Sequence, residues 1–177
     1  ILSGTTGTAT YKNNMVRLGL NAAGSSITSG FTIMGIWDYT GSTNSYYNNT
    51  VYIGGTGVVS VYNTYAFNSY TVNVTRIFQN NIFWNARSNS SGGIGNFAIS
   101  VGGTGVNPAG LTCNNNLLLA SGTNGVLGFY NAAQYSTISA WRTATGQDSR
   151  SINTEPLLIS PNGSASTVDL HVEPSDL

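Results

Sequence analysis

Groups that could perform acid–base chemistry are scarce in most of this chain. Hydrolysis of a glycosidic bond needs two carboxylates flanking the bond, and eliminative cleavage of a polysaccharide needs a base, often beside carboxylates that hold Ca²⁺. Residues 1–147 contain one carboxylate, Asp38, and one lysine, Lys12. We therefore predict that the chain is not an enzyme, that Asp38 lies in a turn, and that Lys12 and Arg17 are solvated outward charges.

The single histidine and the single cysteine also offer little chemistry. His171 has no cluster of metal-binding side chains at ligand spacing, so we predict a packing role for it and expect neither a metal site nor another cofactor. Cys113 has no partner for an intramolecular disulfide and no CxxC spacing. We expect Cys113 to be a small buried apolar side chain rather than a nucleophile.

Composition narrows the function classes further. Charged residues make up 7% of the 177 positions, the formal net charge is zero, and Gly, Asn, Ser and Thr together fill 86 positions. This composition is unlike that of a basic nucleic-acid-binding protein, and the chain has no apolar run long enough to cross a bilayer. A hydrophobic content of 40% argues against disorder.

A repeat indicates the architecture that must position any site. Asn-Asn pairs recur at steps of 35, 32 and 35 residues. A second series, in which an aromatic residue begins a strand, has steps of 34, 32 and 32 residues. The two series keep pace over four units. Their members are Asn13-Asn14, Asn48-Asn49, Asn80-Asn81 and Asn115-Asn116 for the first, and Phe31, Tyr65, Phe97 and Phe129 for the second.

Alternation with period two around each Asn pair predicts strands with one buried face. The buried frame includes the first Asn before the pair and the second Asn after it, so a bend must lie between them. Asn tolerates a left-handed backbone at such a corner. We predict a right-handed parallel β-helix of about four to five coils with aromatic rings, Phe97 among them, stacked inside. One short helix is predicted over 136–144, with one of its first two residues as the N-cap and Gly146 just past its end. This helix and a strand over 156–160 should cover or close the C-terminal end. A β-sandwich is the main alternative.

The same alternation places one row of side chains on the outside of successive coils. Arg17, Tyr52 and Trp84 belong to this row and are the candidate ligand-binding residues. Aromatic rings spaced in this way could stack on sugar rings, but the row could equally be covered by a loop or by the C-terminal segment. Both alternatives remain open at this point.

The C-terminal segment differs from the rest of the chain. It contains WRTATGQDSRSINTEPLLIS at 141–160 and DLHV at 169–172, and all but one of the six acidic residues follow Trp141. This segment, together with the Asn corners, resembles the right-handed β-helix domains of large secreted and surface proteins of Bacteroidota that are exported by type IX secretion. Glu155 stands where Asp is commoner in that family, and the Gly- and Asp-rich tail that usually follows Asp-Leu-His is absent.

The resemblance implies a β-helix body over 1–135 and a closing segment over 136–177, continuing into a longer protein. The expected function is a non-catalytic extracellular module, a structural stalk or adhesin of a bacterial surface protein. The expected partners are other segments of the same protein and a polysaccharide, with no nucleic acid and no membrane span. The alternatives are a carbohydrate-binding surface, or part of a polysaccharide lyase or hydrolase whose active site lies elsewhere.

Overall fold

The computed structural model describes residues 1–4, 7–39, 41–92 and 95–174. The chain forms a parallel β-helix of about four coils, and each coil contributes one strand to each of three sheets. Sheet A contains β1 (Leu2–Ser3), β4 (Ile33–Asp38), β7 (Thr64–Ser69), β10 (Asn96–Val101), β13 (Gly125–Tyr130) and the antiparallel β14 (Ala133–Tyr135). Sheet B contains β2 (Thr8–Lys12), β5 (Thr43–Tyr47), β8 (Arg76–Gln79) and β11 (Leu111–Asn114). Sheet C contains β3 (Met15–Leu18), β6 (Thr50–Ile53), β9 (Ile82–Asn85) and β12 (Leu117–Ala120).

The Asn pairs form the corners between sheets B and C, as predicted. The first Asn of every pair has a left-handed backbone, with φ between 53° and 58°. That conformation turns the chain within one residue and shifts the alternating frame. One expectation is wrong: the first Asn is exposed in each pair rather than facing inward, because the corner itself points its side chain to solvent.

The second Asn of each pair forms a hydrogen-bonded ladder inside the corner. The Nδ2 group of Asn14 donates to Oδ1 of Asn49, Asn49 to Asn81, and Asn81 to Asn116, at 2.8–3.1 Å. The backbone N–H of Asn14, Asn49 and Asn81 donates to the same Oδ1 atoms at 3.0–3.2 Å. The ladder therefore satisfies buried amide groups in every coil, as buried polar groups require.

Asp148 and Ser151 close this ladder at its C-terminal end. Asn116 donates its backbone N–H to Ser151 Oγ at 2.8 Å and its Nδ2 to Asp148 Oδ1 at 3.2 Å. The fully buried Trp141 donates its indole N–H to the other Asp148 oxygen at 2.8 Å. The segment from Trp141 to Ser151 thus forms one cap, which is hydrogen-bonded to Asn116, the last Asn of the ladder.

The short helix α1 (Ile138–Thr145) begins two residues later and ends one residue later than predicted, and it has the predicted caps. Thr137 is the N-cap and accepts from the Ala140 N–H, and Gly146 ends the helix with φ 66°. The helix closes the C-terminal end of the solenoid, where Trp141 packs near Tyr130 and Tyr135. The predicted closing strand over 156–160 does not close that end: β15 (Leu158–Ser160) pairs antiparallel with β16 (Asp169–Val172), and this hairpin lies on sheet C.

Stacked aromatic rings fill the interior. Tyr11 stacks on Tyr46 with ring centroids 5.0 Å apart, Phe78 follows at 5.6 Å, and Cys113 is the next buried residue of the same row, as expected. Phe97 does not follow its prediction. It is buried, but it lies outside the core cluster and packs between Tyr65 and Phe129 on the outer side of sheet A.

Candidate binding faces

The predicted outward row of sheet C is aligned as the sequence indicates. Arg17, Tyr52, Trp84 and Leu119 are register partners in four successive strands. The rings of Tyr52 and Trp84 meet edge to face, with centroids 4.9 Å apart. Since neighbouring strands lie about 4.8 Å apart, these residues form a continuous line along the solenoid axis.

The β15–β16 hairpin covers this row. Leu158 and Leu170 pack against Tyr52 and Trp84, whose side chains are only 3% and 7% exposed. The Tyr52 hydroxyl donates to Asn162 Oδ1 at 2.8 Å, and burial raises the pKa of that hydroxyl. Of the two alternatives, the structure thus shows coverage by the C-terminal segment. A ligand role for Tyr52 and Trp84 stays a prediction that requires the hairpin to leave sheet C.

Arg17 lies half-buried at the edge of the hairpin. Its guanidinium donates to the carbonyls of Gly163 and Asn21, so it joins the hairpin to the first coil. A hollow of about 290 Å³ beside it is lined by Met15, Asp169 and His171, among others. Arg17 is therefore not the freely solvated charge that the sequence predicted, whereas Lys12 is exposed as expected.

His171 is exposed rather than packed, which corrects the sequence prediction. It lies on β16, and its Nδ1 is 2.6 Å from Asp169 Oδ1. The His171 backbone N–H also donates to this oxygen at 2.8 Å. These hydrogen bonds lower the pKa of the Asp169 carboxyl. The buried member of the Asp-Leu-His motif is Leu170.

Asp38 is not in a turn; it is the fully buried last residue of β4. Asn44 Nδ2 and the Tyr46 hydroxyl donate to its Oδ1 at 2.7 and 3.2 Å. Ser69 and Thr71 donate to its Oδ2 at 2.7 and 3.3 Å. All the donors come from the solenoid itself, so the carboxylate links β4 to β5 and β7.

Two arginines are buried among backbone carbonyls. Arg87 donates to Ile27 O at 2.8 Å and to Gly54 O at 3.3 Å, and thereby joins the loops of successive coils. Arg76 donates to Gly102 O at 3.2 Å. Burial lowers the pKa of both guanidinium groups. These cations are held within the fold.

The described ranges contain no cluster of three or more His, Cys, Asp or Glu side chains that could hold a metal ion. Over those same ranges, no helix has the length and apolar character needed to cross a membrane.

The outer face of sheet A carries three members of the aromatic series, Tyr65, Phe97 and Phe129, which the alternation predicted inside the solenoid. One row runs through the register partners Trp37, Asn68, Ser100 and Phe129. A second row beside it contains Met34, Tyr65 and Phe97. These rings were assigned to the wrong face because both Ala66 and Phe67 face the core, which breaks the alternation from which the faces were predicted.

This face is open in part: Trp37, Tyr65 and Phe129 are half-exposed, whereas Phe97 is buried. Tyr39 and Tyr70, each directly after its sheet A strand, are 59% and 58% exposed. A hollow of about 190 Å³ opens between Tyr70 and Phe129, over Ser100 and Gly102. The signal that could have found it is the recurrence of Tyr after β4 and after β7, at Tyr39 and Tyr70.

Comparison of the chain with protein-family models, with curated proteins and with solved structures finds no match.

Proposed function

We propose that the chain is a non-catalytic module of an extracellular bacterial surface protein, in which it acts as a structural stalk or adhesin. The observation that supports this proposal best is the asparagine ladder, which runs through every corner and ends on the Asp148 and Ser151 cap. A solenoid of this kind transmits contacts from one coil to the next. It needs no disulfide to hold the coils in register.

The placement of the buried charges agrees with this role. Asp38 accepts from four side chains of β5, of β7 and of the loop after β7, and Arg76 and Arg87 donate to backbone carbonyls. General acid–base catalysis needs a titratable group within reach of a substrate. These three groups are instead buried and hydrogen-bonded within the fold, so their role is to stabilise it.

The extracellular compartment and the partners are proposed from the sequence. The closing segment resembles that of secreted β-helix domains, and a chain rich in Asn, Ser and Thr and poor in charge suits contact with other segments of a large surface protein. Carbohydrate binding through Arg17, Tyr52 and Trp84 is less favoured, because the hairpin covers the two rings. A lyase or hydrolase role would depend on residues outside this segment.

A turnover assay tests the non-catalytic proposal. The purified chain is incubated with neutral and acidic polysaccharides, and new reducing ends and unsaturated products are measured. We expect none. The variant Lys12→Ala is the decisive control, because Lys12 is exposed and its loss leaves the fold intact. Turnover that disappears in Lys12→Ala would overturn the proposal.

The compartment is tested separately on intact source cells. A protease added outside the cells should degrade the parent protein, detected with an antibody against this segment, while a cytoplasmic marker stays intact. Protection of the parent protein until the cells are lysed would contradict the extracellular assignment.

A further inference from the structure

The outer face of sheet A is aromatic and uncharged. Its outward positions in β4, β7, β10 and β13 are Met34, Trp37, Tyr65, Asn68, Phe97, Ser100, Val126 and Phe129, and none carries a charge. Isolated exposed apolar residues are ordinary, but a contiguous patch of rings marks an interaction surface. A ligand bound here would meet no counter-charge, so the face is suited to a neutral partner.

The shape of this face suits a small ring-shaped ligand better than the surface of another protein. The hollow that Tyr70 and Phe129 line measures about 190 Å³, and Ser100, Gly102 and Asn131 line it as well. Aromatic rings together with small polar groups match a ligand that has apolar C–H faces and hydroxyl edges. A sugar ring has both.

Two polar atoms on the same face lack partners. The indole N–H of Trp37 and the Oδ1 of Asn68 are both buried without a hydrogen bond, and the two residues are register partners in neighbouring strands. Asn68 is 1% exposed, and its Nδ2 reaches only the Met34 sulfur, at 3.5 Å. Buried polar groups are seldom left unpaired. A hydroxyl both donates and accepts, so a sugar hydroxyl is the type of group that would pair with either atom once the half-exposed Trp37 ring turns.

We propose that the outer face of sheet A binds a neutral polysaccharide, with a sugar ring seated between Tyr70 and Phe129 over Ser100. The chain of sugars runs along the solenoid axis toward Trp37 and Asn68, because these residues occupy the same outward row as Ser100 and Phe129. This site is on a different sheet from Tyr52 and Trp84, and it needs no movement of the hairpin.

Tryptophan fluorescence tests this site directly. Of the three tryptophans, Trp84 and Trp141 are buried and Trp37 is half-exposed, so quenching by acrylamide reports mainly on Trp37. Soluble glucan, mannan and xylan are the probes, and polygalacturonate is the charged comparison. We expect at least one neutral probe to shift the emission and to protect Trp37 from the quencher, while polygalacturonate does neither.

Matched variants locate the binding. Tyr70→Ala and Phe129→Ala should weaken the affinity for that probe about tenfold. Tyr62→Ala removes a tyrosine that is 50% exposed on the loop before β7, and Trp84→Phe alters the covered face, so both should leave the affinity unchanged. The proposal fails if no neutral probe alters Trp37 or if Tyr62→Ala weakens binding as much as Tyr70→Ala. A dimer that Tyr70→Ala dissociates would also overturn it, because the face would then be a protein interface.

Discussion

Replacement of one inner member of the asparagine ladder should destabilise the fold far more than replacement of the first member. Asn81 makes four side-chain hydrogen bonds to buried groups: its Nδ2 donates to Asn116 Oδ1 at 3.1 Å and to Tyr46 O at 3.0 Å, and its Oδ1 accepts from the N–H and the Nδ2 of Asn49 at 3.0 and 2.9 Å. Asn81→Ala removes all four. It also leaves the Asn49 backbone N–H and one Nδ2 hydrogen of Asn49 without an acceptor, while the other Nδ2 hydrogen keeps its bond to Tyr11 O.

The expected loss follows from the number of bonds. A neutral hydrogen bond contributes about 1 kcal/mol net, so four of them give a loss of about 4 kcal/mol, and the stranded Asn49 donors keep it from being smaller. Asn14 donates through Nδ2 only to Asn49 Oδ1 and to Lys12 O, and it is half-exposed. Water replaces these bonds in Asn14→Ala, so we expect a loss of about 1 kcal/mol or less.

Urea denaturation followed by far-ultraviolet circular dichroism measures both free energies of unfolding. Asn80→Gly serves as a control on the corner itself, because Asn80 has a left-handed backbone that Gly adopts freely, and its side chain is exposed. Equal losses for Asn81→Ala and Asn14→Ala, or a loss below about 1 kcal/mol for Asn81→Ala, would refute the argument that the ladder stabilises the coils.

Four further outcomes are expected. Arg87→Met should lower the free energy of unfolding by about 3 kcal/mol, since hydrogen bonds from a charged donor to several loop carbonyls are lost; an unchanged urea midpoint would contradict this. Phe83→Ala should cost about 3–5 kcal/mol in the same measurement, because Phe83 is fully buried in the core. Burial raises the pKa of the Cys113 thiol well above its usual value and shields its sulfur from solvent. A thiol reagent at about pH 8, near the pKa of an ordinary thiol, should therefore label Cys113 only at the rate at which the protein unfolds. Burial also raises the pKa of Tyr46, so the native state keeps a proton that the unfolded chain releases; stability should therefore fall as the pH rises above about 10, and Tyr46→Phe should reduce that slope in urea midpoints measured across the range.

The corners were predictable from sequence because one residue type marks each of them. An Asn pair at a step of 32–35 residues carries both the left-handed turn and the stacking group, so the pattern gives the register of sheets B and C directly. The helix caps Thr137 and Gly146 were predictable for the same reason, since each acts on its own neighbours.

Sheet A was less predictable because its strands contain an irregular step. Ala66 and Phe67 both face the core, and so do Ala98 and Ile99. When alternation is counted back from Ile99 across this step, every earlier residue of the strand is assigned to the wrong face. For this reason Phe97, two residues before Ile99, was expected inside. The proposed sugar site lies on the face that this step conceals.

The cover over sheet C could not be predicted because it depends on contacts between distant parts of the chain. Tyr52 bonds to Asn162, 110 positions later, and Arg17 bonds to Gly163, 146 positions later. No local periodicity encodes such docking. The sequence could therefore place Tyr52 and Trp84 on the outside of the coils but could not decide between coverage and a ligand.

The asparagine ladder also gives the solenoid a direction. Each Nδ2 group donates toward the next coil, so the amide dipoles of the four side chains point the same way and polarise one another. The carboxylate of Asp148 stands at the donor end, as an anion stands at the N-terminus of an α-helix. Within the described residues, Asn14 Oδ1 at the other end receives no donor. An additional coil carrying an Asn corner can therefore join at the Asn14 end by donating to a free acceptor, whereas joining at the opposite end would require displacement of a charged group. The two ends of the column are chemically different, and extension by this ladder is possible in one direction.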